Sequence, residues 1–99
     1  MNMQNLMKQA QQMQKDMMKT KGELDAKIFS GNSSLVDIEM NGKKELVTLK
    51  IKNEMGLDEE DLEILEDAIV SAINSTMKDI NNETEKSMSK FGGGLTGLM

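Results

Sequence analysis

The chain has 99 residues, 37% of them apolar and 29% charged, with 11 Met, two Phe and no Cys, His, Tyr, Trp or Pro. All 12 basic residues are Lys, so the usual general base, the thiol nucleophile, nitrogen or sulfur zinc ligands and the bidentate guanidinium are all missing. The net charge of -5 conceals a polarity: residues 1–27 carry +2, residues 28–57 are neutral and residues 58–99 carry -7.

The length fits one domain with a thin stability margin, which self-association commonly supplements. We read residues 1–91 as that domain and the Gly-rich residues 92–99 as a flexible tail. No stretch approaches 18 apolar residues and no secretory leader precedes the first helix, which predicts a cytoplasmic protein without membrane segments.

Residues 3–21 are helix formers without Gly or Pro, and their apolar positions recur at heptad spacing. Met3, Ala10, Met17 and Leu24 form one row; Leu6 and Met13 start a second, which fails at Thr20 and Lys27. Met7 and Met18 widen the stripe, and Gly22 weakens its end by up to about 1 kcal/mol. A helix of some 25 residues is about 37 Å long, more than the rest of so short a chain can cover. The stripe therefore packs on the protein's own sheet, on a partner helix or on a second copy.

The period then changes from helical to two. Lys27-Ile28-Phe29-Ser30 reads as a short strand, with Gly31-Asn32 as its turn. Val36, Ile38 and Met40 alternate with Asp37 and Glu39, and Val47, Leu49 and Ile51 alternate with Thr48, Lys50 and Lys52. Asn41-Gly42 between them is a strong hairpin signal. A two-residue turn would set Ile38 opposite Glu45. A four-residue loop of Asn41, Gly42, Lys43 and Lys44 would pair Ile38 with Val47 and Val36 with Leu49, and is preferred because it keeps the apolar face in register. Asp37 and Glu39, near Lys50 and Lys52, read as cross-strand charge pairing on a wet sheet face.

A second helix begins near Asp58, an N-cap followed by Glu59, Glu60 and Asp61 at the positive end of the helix dipole. Leu62, Leu65, Ile69, Ala72, Ile73, Met77 and Ile80 follow helical spacing, and the pattern fades beyond Asn82. The fold class is α+β, in the order α-β-β-β-α.

Candidate chemistry is sparse. Ser75 with Lys78 and Ser87 with Lys90 match S-x-x-K by spacing, but the companion elements of that catalytic set are absent. The acidic run 58–63 lacks the spacing and central Gly of a calcium loop, and reads as a solvated helix start. No cofactor, metal or small-molecule substrate is expected, and an enzyme is excluded. Lys8, Lys15, Lys19 and Lys21 remain on the first helix, either as a solvated face or as a phosphate-binding one.

Three segments, in order and in register, are similar to the YbaB/EbfC family of bacterial nucleoid-associated proteins. They are Asn5-Leu6-Met7-Lys8-Gln9-Ala10-Gln11-Gln12-Met13-Gln14, then Val36-x-Ile38-x-Met40-Asn41-Gly42, then Leu65-Glu66-Asp67 leading to Ala72-Ile73-Asn74. The resemblance spans residues 2–85. It implies a tweezer-like homodimer with a three-stranded antiparallel sheet between two long helices, binding DNA with low sequence preference. Many members carry Arg on the second helix, whereas residues 75–85 here hold only Lys78, which shifts the basic character to the first helix. The DNA-binding residues so implied are Lys8, Lys15, Lys19 and Lys21, with Lys86 and Lys90 as additions. The dimer contacts so implied are Met13, Met17, Val36, Ile38, Leu49, Ile51, Ile69 and Ile73. A nucleoid location and effects on nucleoid organisation and gene expression follow from the same resemblance. The competing reading is a protein-binding or holdase-like adaptor that uses the Met-rich stripe.

Overall fold

Apolar period sets the architecture: a helical stripe, two alternating strands and a second helical stripe give one sheet with helices before and after it. The computed structural model describes residues 2–52 and 58–91; the expected tail, and the segment that follows the third strand, lie outside the described residues. The order is α1 (Met3–Ala26), β1 (Ile28–Asn32), β2 (Val36–Asn41), β3 (Leu46–Ile51), α2 (Asp61–Met88) and a closing 3-10 turn at Ser89–Phe91.

α1 starts where the Asn2 carboxamide oxygen accepts a hydrogen bond from the Gln4 N–H at 2.9 Å, a side-chain cap for an orphan donor. It continues through Gly22, where a Cβ would meet nothing within 4 Å. It stops at Lys27, whose backbone is extended and leads directly into β1. Every residue from 3 to 16 is exposed, and Leu24 is the one buried residue of the helix, so α1 is held only at its C-terminal end.

The sheet is antiparallel in the order β1-β2-β3. β1 extends further than its sequence suggests, for Gly31 and Asn32 pair with Ile38 and Asp37 instead of turning. The turn falls at Ser33, whose hydroxyl oxygen accepts from the Leu35 and Val36 N–H groups at 3.3 and 3.0 Å. Gly31 is required there by space: a Cβ would collide with the Thr76 hydroxyl of α2 and lie 3.3 Å from the Ala72 carbonyl oxygen.

The hairpin register corrects the four-residue loop. Ile38 faces Leu49 and Val36 faces Ile51, each two positions from the expected partner. The shift is even, so the apolar face is preserved. The loop proper is Gly42-Lys43-Lys44, closed by Lys44 N–H to the Asn41 carbonyl and Asn41 N–H to the Glu45 carbonyl, both at 3.0 Å. Glu39 pairs with Thr48 but Met40 with Leu46, leaving Val47 as the extra residue of a bulge. On the wet face Asp37 pairs with Lys52 at 3.0 Å, and the Thr48 hydroxyl donates to Glu39 at 2.9 Å.

α2 lies across β1 and β2. Val36, Ile38 and Met40, at 0–1% exposure, pack against Leu65, Ala72 and Ile80, with Ile69, Ile73 and Met77 half-buried beside them. Each such large side chain contributes about 2 kcal/mol through burial. The helix starts three residues later than expected, at Asp61, with Glu60 in the N-cap position and no side-chain cap. Asp58 instead closes the turn before it, its carboxylate accepting from the Glu60 and Asp61 N–H groups while the Asp61 carboxylate accepts from the Asp58 N–H. The helix also outlasts its obvious apolar pattern, running to a buried Met88.

Val36 and Ile38 are therefore core residues. They were expected at a dimer contact, but with α2 already covering them they have no surface to offer a partner. β3 differs: all six of its residues are exposed, because α2 does not reach across to it. Leu49 and Ile51, opposite Ile38 and Val36, stand on the apolar face at 38% and 41% exposure.

Candidate nucleic-acid interface

Helical geometry sorts the lysines of α1. At 3.6 residues per turn, Lys8, Lys15 and Lys19 stand at i, i+7 and i+11 and form a single row about 16 Å long. That is the axial rise of about five base pairs of duplex. Leu6, Ala10, Met13, Met17 and Leu24 fall on the opposite side of the same helix. Burying the stripe therefore leaves the lysine row in solvent, and the two roles do not compete. Met17 is half-buried and Leu24 buried against the protein body, while Leu6 and Met13 remain 41% and 43% exposed.

Lys21 does not belong to the row. Thirteen residues from Lys8 place it on the apolar side, and its ammonium pairs with Asp25 at 3.3 Å. Lys27, which ends the helix, pairs with Glu83 of α2 at 3.4 Å and lies 5.3 Å from the Phe29 ring centroid. Such exposed pairs add little stability, but they occupy charges that a phosphate would otherwise meet.

The end of α2 comes back to α1. Lys90, 5.1 Å from the Phe91 ring centroid, lines one groove with Lys19, Gln12, Met13 and Asp16, so the structure joins one of the two later lysines to the row. Two acids, Asp16 and Glu23, line the same groove, and Gln12 donates to the Asp16 carboxylate at 3.0 Å, partly occupying it. Lys86 is exposed on the last turn of α2 and does not line that groove.

Residues 1–95 match the YbaB/EbfC DNA-binding family. The chain belongs to that family. A YbaB/EbfC member is a nucleoid-associated DNA-binding protein, not an enzyme. Among similar proteins, a nucleoid-associated protein of Clostridium novyi is 43% identical over 97 residues, covering 96% of this chain and 84% of its own. One from Clostridium kluyveri is 44% identical over 96 residues, covering 95% and 83%. Another, from Streptococcus thermophilus, is 43% identical over 97 residues, covering 96% and 97%. The crystal structure of an uncharacterized Helicobacter pylori protein superposes with a TM-score of 0.65 over 87% of this chain and 91% of that one. At 22% identity that likeness concerns the fold alone.

Within the YbaB/EbfC frame, the acidic run 58–63 is used locally, since Asp58 and Asp61 are hydrogen-bonded to backbone amides. Ser87 donates to Glu83 at 3.4 Å, which engages it away from Lys90. No helix among the described residues is long and apolar enough to cross a membrane. Sequence reading missed Gly42, whose N–H donates to the Asp25 carbonyl at 3.2 Å and fastens the hairpin tip to the end of α1. The Asn-Gly pair was visible, but its second partner was not.

Proposed function

We propose that this chain is a cytoplasmic, nucleoid-located homodimer that binds the phosphate backbone of DNA through the Lys8, Lys15 and Lys19 row of each α1. The observation that carries this reading is the placement of the row opposite the apolar stripe on a helix whose first 14 residues are all exposed. Lysine meets phosphate as a point charge, and without Arg the chain has no bidentate grip on guanine, so sequence preference is low. Lys90, beside Lys19, extends the surface; Lys86 adds general attraction, and Lys21 contributes least because of Asp25. Effects on nucleoid organisation and gene expression follow from occupancy of many sites.

A dimer is supported by the apolar shelf that α2 leaves open. Leu49 and Ile51 of β3, together with the half-buried Ile69 and Ile73, offer a second copy a self-complementary surface, and Met13 and Met17 on the apolar side of α1 would form a separate contact. Sedimentation should return twice the 11.0 kDa chain mass. Leu49→Asp with Ile51→Asp should give a folded monomer; a wild-type monomer at micromolar concentration refutes the dimer.

Six row lysines in a dimer, each neutralising one phosphate, give a slope of log K against log salt of about -5. Gel-shift titration of Lys8→Glu, Lys15→Glu and Lys19→Glu combined should abolish the shift, and undiminished affinity overturns the assignment. The exposed Met3, Met7 and Met18 favour the adaptor reading, which would instead show suppression of client aggregation with no DNA shift at low salt.

A further inference from the structure

We propose that the tip of the β2–β3 hairpin is a second phosphate-binding surface, formed by Lys43 and Lys44 and separate from the lysine row of α1. The proposal rests on the DNA-binding reading above and adds to it a site on the other side of the helix.

Backbone conformation carries the argument. Lys44 has φ 67°, the only non-glycine residue with positive φ among the described residues. It is the last residue of a three-residue hairpin loop, a position that favours Gly or Asn because the Cβ of other residues crowds the neighbouring carbonyl. A glycine would fit this turn with less strain. A lysine there gives up stability for its side chain, as residues held in sparsely populated conformations at binding sites do.

The tip is tied down by hydrogen bonds, and the acid on the loop itself, Glu45, is engaged. The Asn41 carboxamide oxygen accepts from the Lys43 and Glu45 N–H groups at 2.9 and 3.0 Å, and its amide donates to the Glu45 carboxylate at 2.8 Å. Glu45 is thus held by Asn41. Among the described residues, ion pairs involve Lys21, Lys27 and Lys52, and neither Lys43 nor Lys44 takes part in one. Gly42 N–H to the Asp25 carbonyl fixes the tip at the root of α1, where Lys43 and Lys44 share a cleft with Lys21. Two acids line it as well, Asp25, which is paired with Lys21, and Glu85, so that three lysines there face two carboxylates. Lys21 lies some 140° round α1 from Lys8, so this cleft and the row face different phosphates. Two exposed ammonium groups on an anchored turn, without Arg or an aromatic ring to read a base, suit a phosphodiester backbone.

The test uses the full-length protein, a short random-sequence duplex and salt from about 50 to 200 mM. Lys44→Gly should raise Tm by several degrees, because the strained backbone is relieved, and yet weaken DNA binding three- to tenfold at the lower salt. Lys43→Gln should weaken binding similarly at unchanged Tm, and each lysine lost should flatten the salt slope by about 1 per protomer. The opposite signs in Lys44→Gly separate a binding role from a structural one. Wild-type affinity and slope in both variants would overturn the proposal, as would a lower Tm for Lys44→Gly. If the row variants lose DNA while the tip variants keep it, only this inference fails. If the wild-type protein does not shift the duplex, the DNA-binding reading fails with it.

Discussion

Gly42→Ala is the substitution that bears most directly on how α1 is aimed. Gly42 does not have a left-handed φ, so alanine is acceptable to the backbone and only space is at issue. The added Cβ would overlap the Leu24 carbonyl and lie 3.0 Å from the Asp25 nitrogen, atoms of a helix backbone that cannot rotate away. Relief requires the hairpin and α1 to separate, breaking the Gly42 N–H bond to the Asp25 carbonyl. Loss of that bond costs about 1 kcal/mol and the overpacking about 1–3 kcal/mol, together about 2–4 kcal/mol. At about 4–8 °C per kcal/mol for a chain of this size, Tm should fall by about 8–30 °C at fixed protein concentration. Function should suffer as well. Lys8 is 16 residues from Leu24, about 24 Å along the axis, so a tilt of about 10° at the root moves it by about 4 Å. Gly22→Ala is the matched control: open space surrounds it within the helix, and it should stabilise by about 1 kcal/mol. Thermal unfolding followed at 222 nm, with DNA titration on the same samples, reads both effects. A Gly42→Ala protein that melts with the wild type would refute the latch between hairpin and helix.

Other substitutions test the frame around this latch. Ile38→Ala, at a position only 1% exposed, should cost about 2–5 kcal/mol in urea unfolding, and a loss below 1 kcal/mol would show that the site is not core. Asp58→Ala removes the carboxylate that accepts from Glu60 and Asp61 and should cost about 1 kcal/mol, while Glu59→Ala, which makes neither contact, should leave stability unchanged. Lys21→Gln should weaken DNA binding less than Lys15→Gln, because Asp25 already neutralises Lys21; equal losses would refute the division of α1 into two faces.

Much of this was legible in the sequence because it depends on near neighbours. Seven-residue spacing fixes which α1 side chains share a face, alternation fixes which faces of β2 and β3 are apolar, and Asn41-Gly42 fixes where the chain reverses. The lysine row and its opposition to the apolar stripe follow from the same arithmetic. The exact pairing was not legible. Whether Ile38 meets Val47 or Leu49 depends on a positive φ at Lys44 and a bulge at Val47, and both registers keep the same face apolar. Periodicity cannot separate arrangements that differ by an even number of residues.

Amino-acid order alone determined the element sequence, the membership in the YbaB/EbfC family and the absence of side chains for most enzyme chemistry. Tertiary structure decided how the apolar positions are divided. Val36 and Ile38 are closed over by α2, while Leu49 and Ile51 on the same face stay open, because one helix covers two strands and not three. It also decided that Lys27 is engaged, since Glu83 reaches it only once α2 has folded back, whereas the Lys21–Asp25 pair is local to one turn of α1. Hydrophobic period is a property of neighbours along the chain; burial and ion pairing between elements belong to neighbours in space.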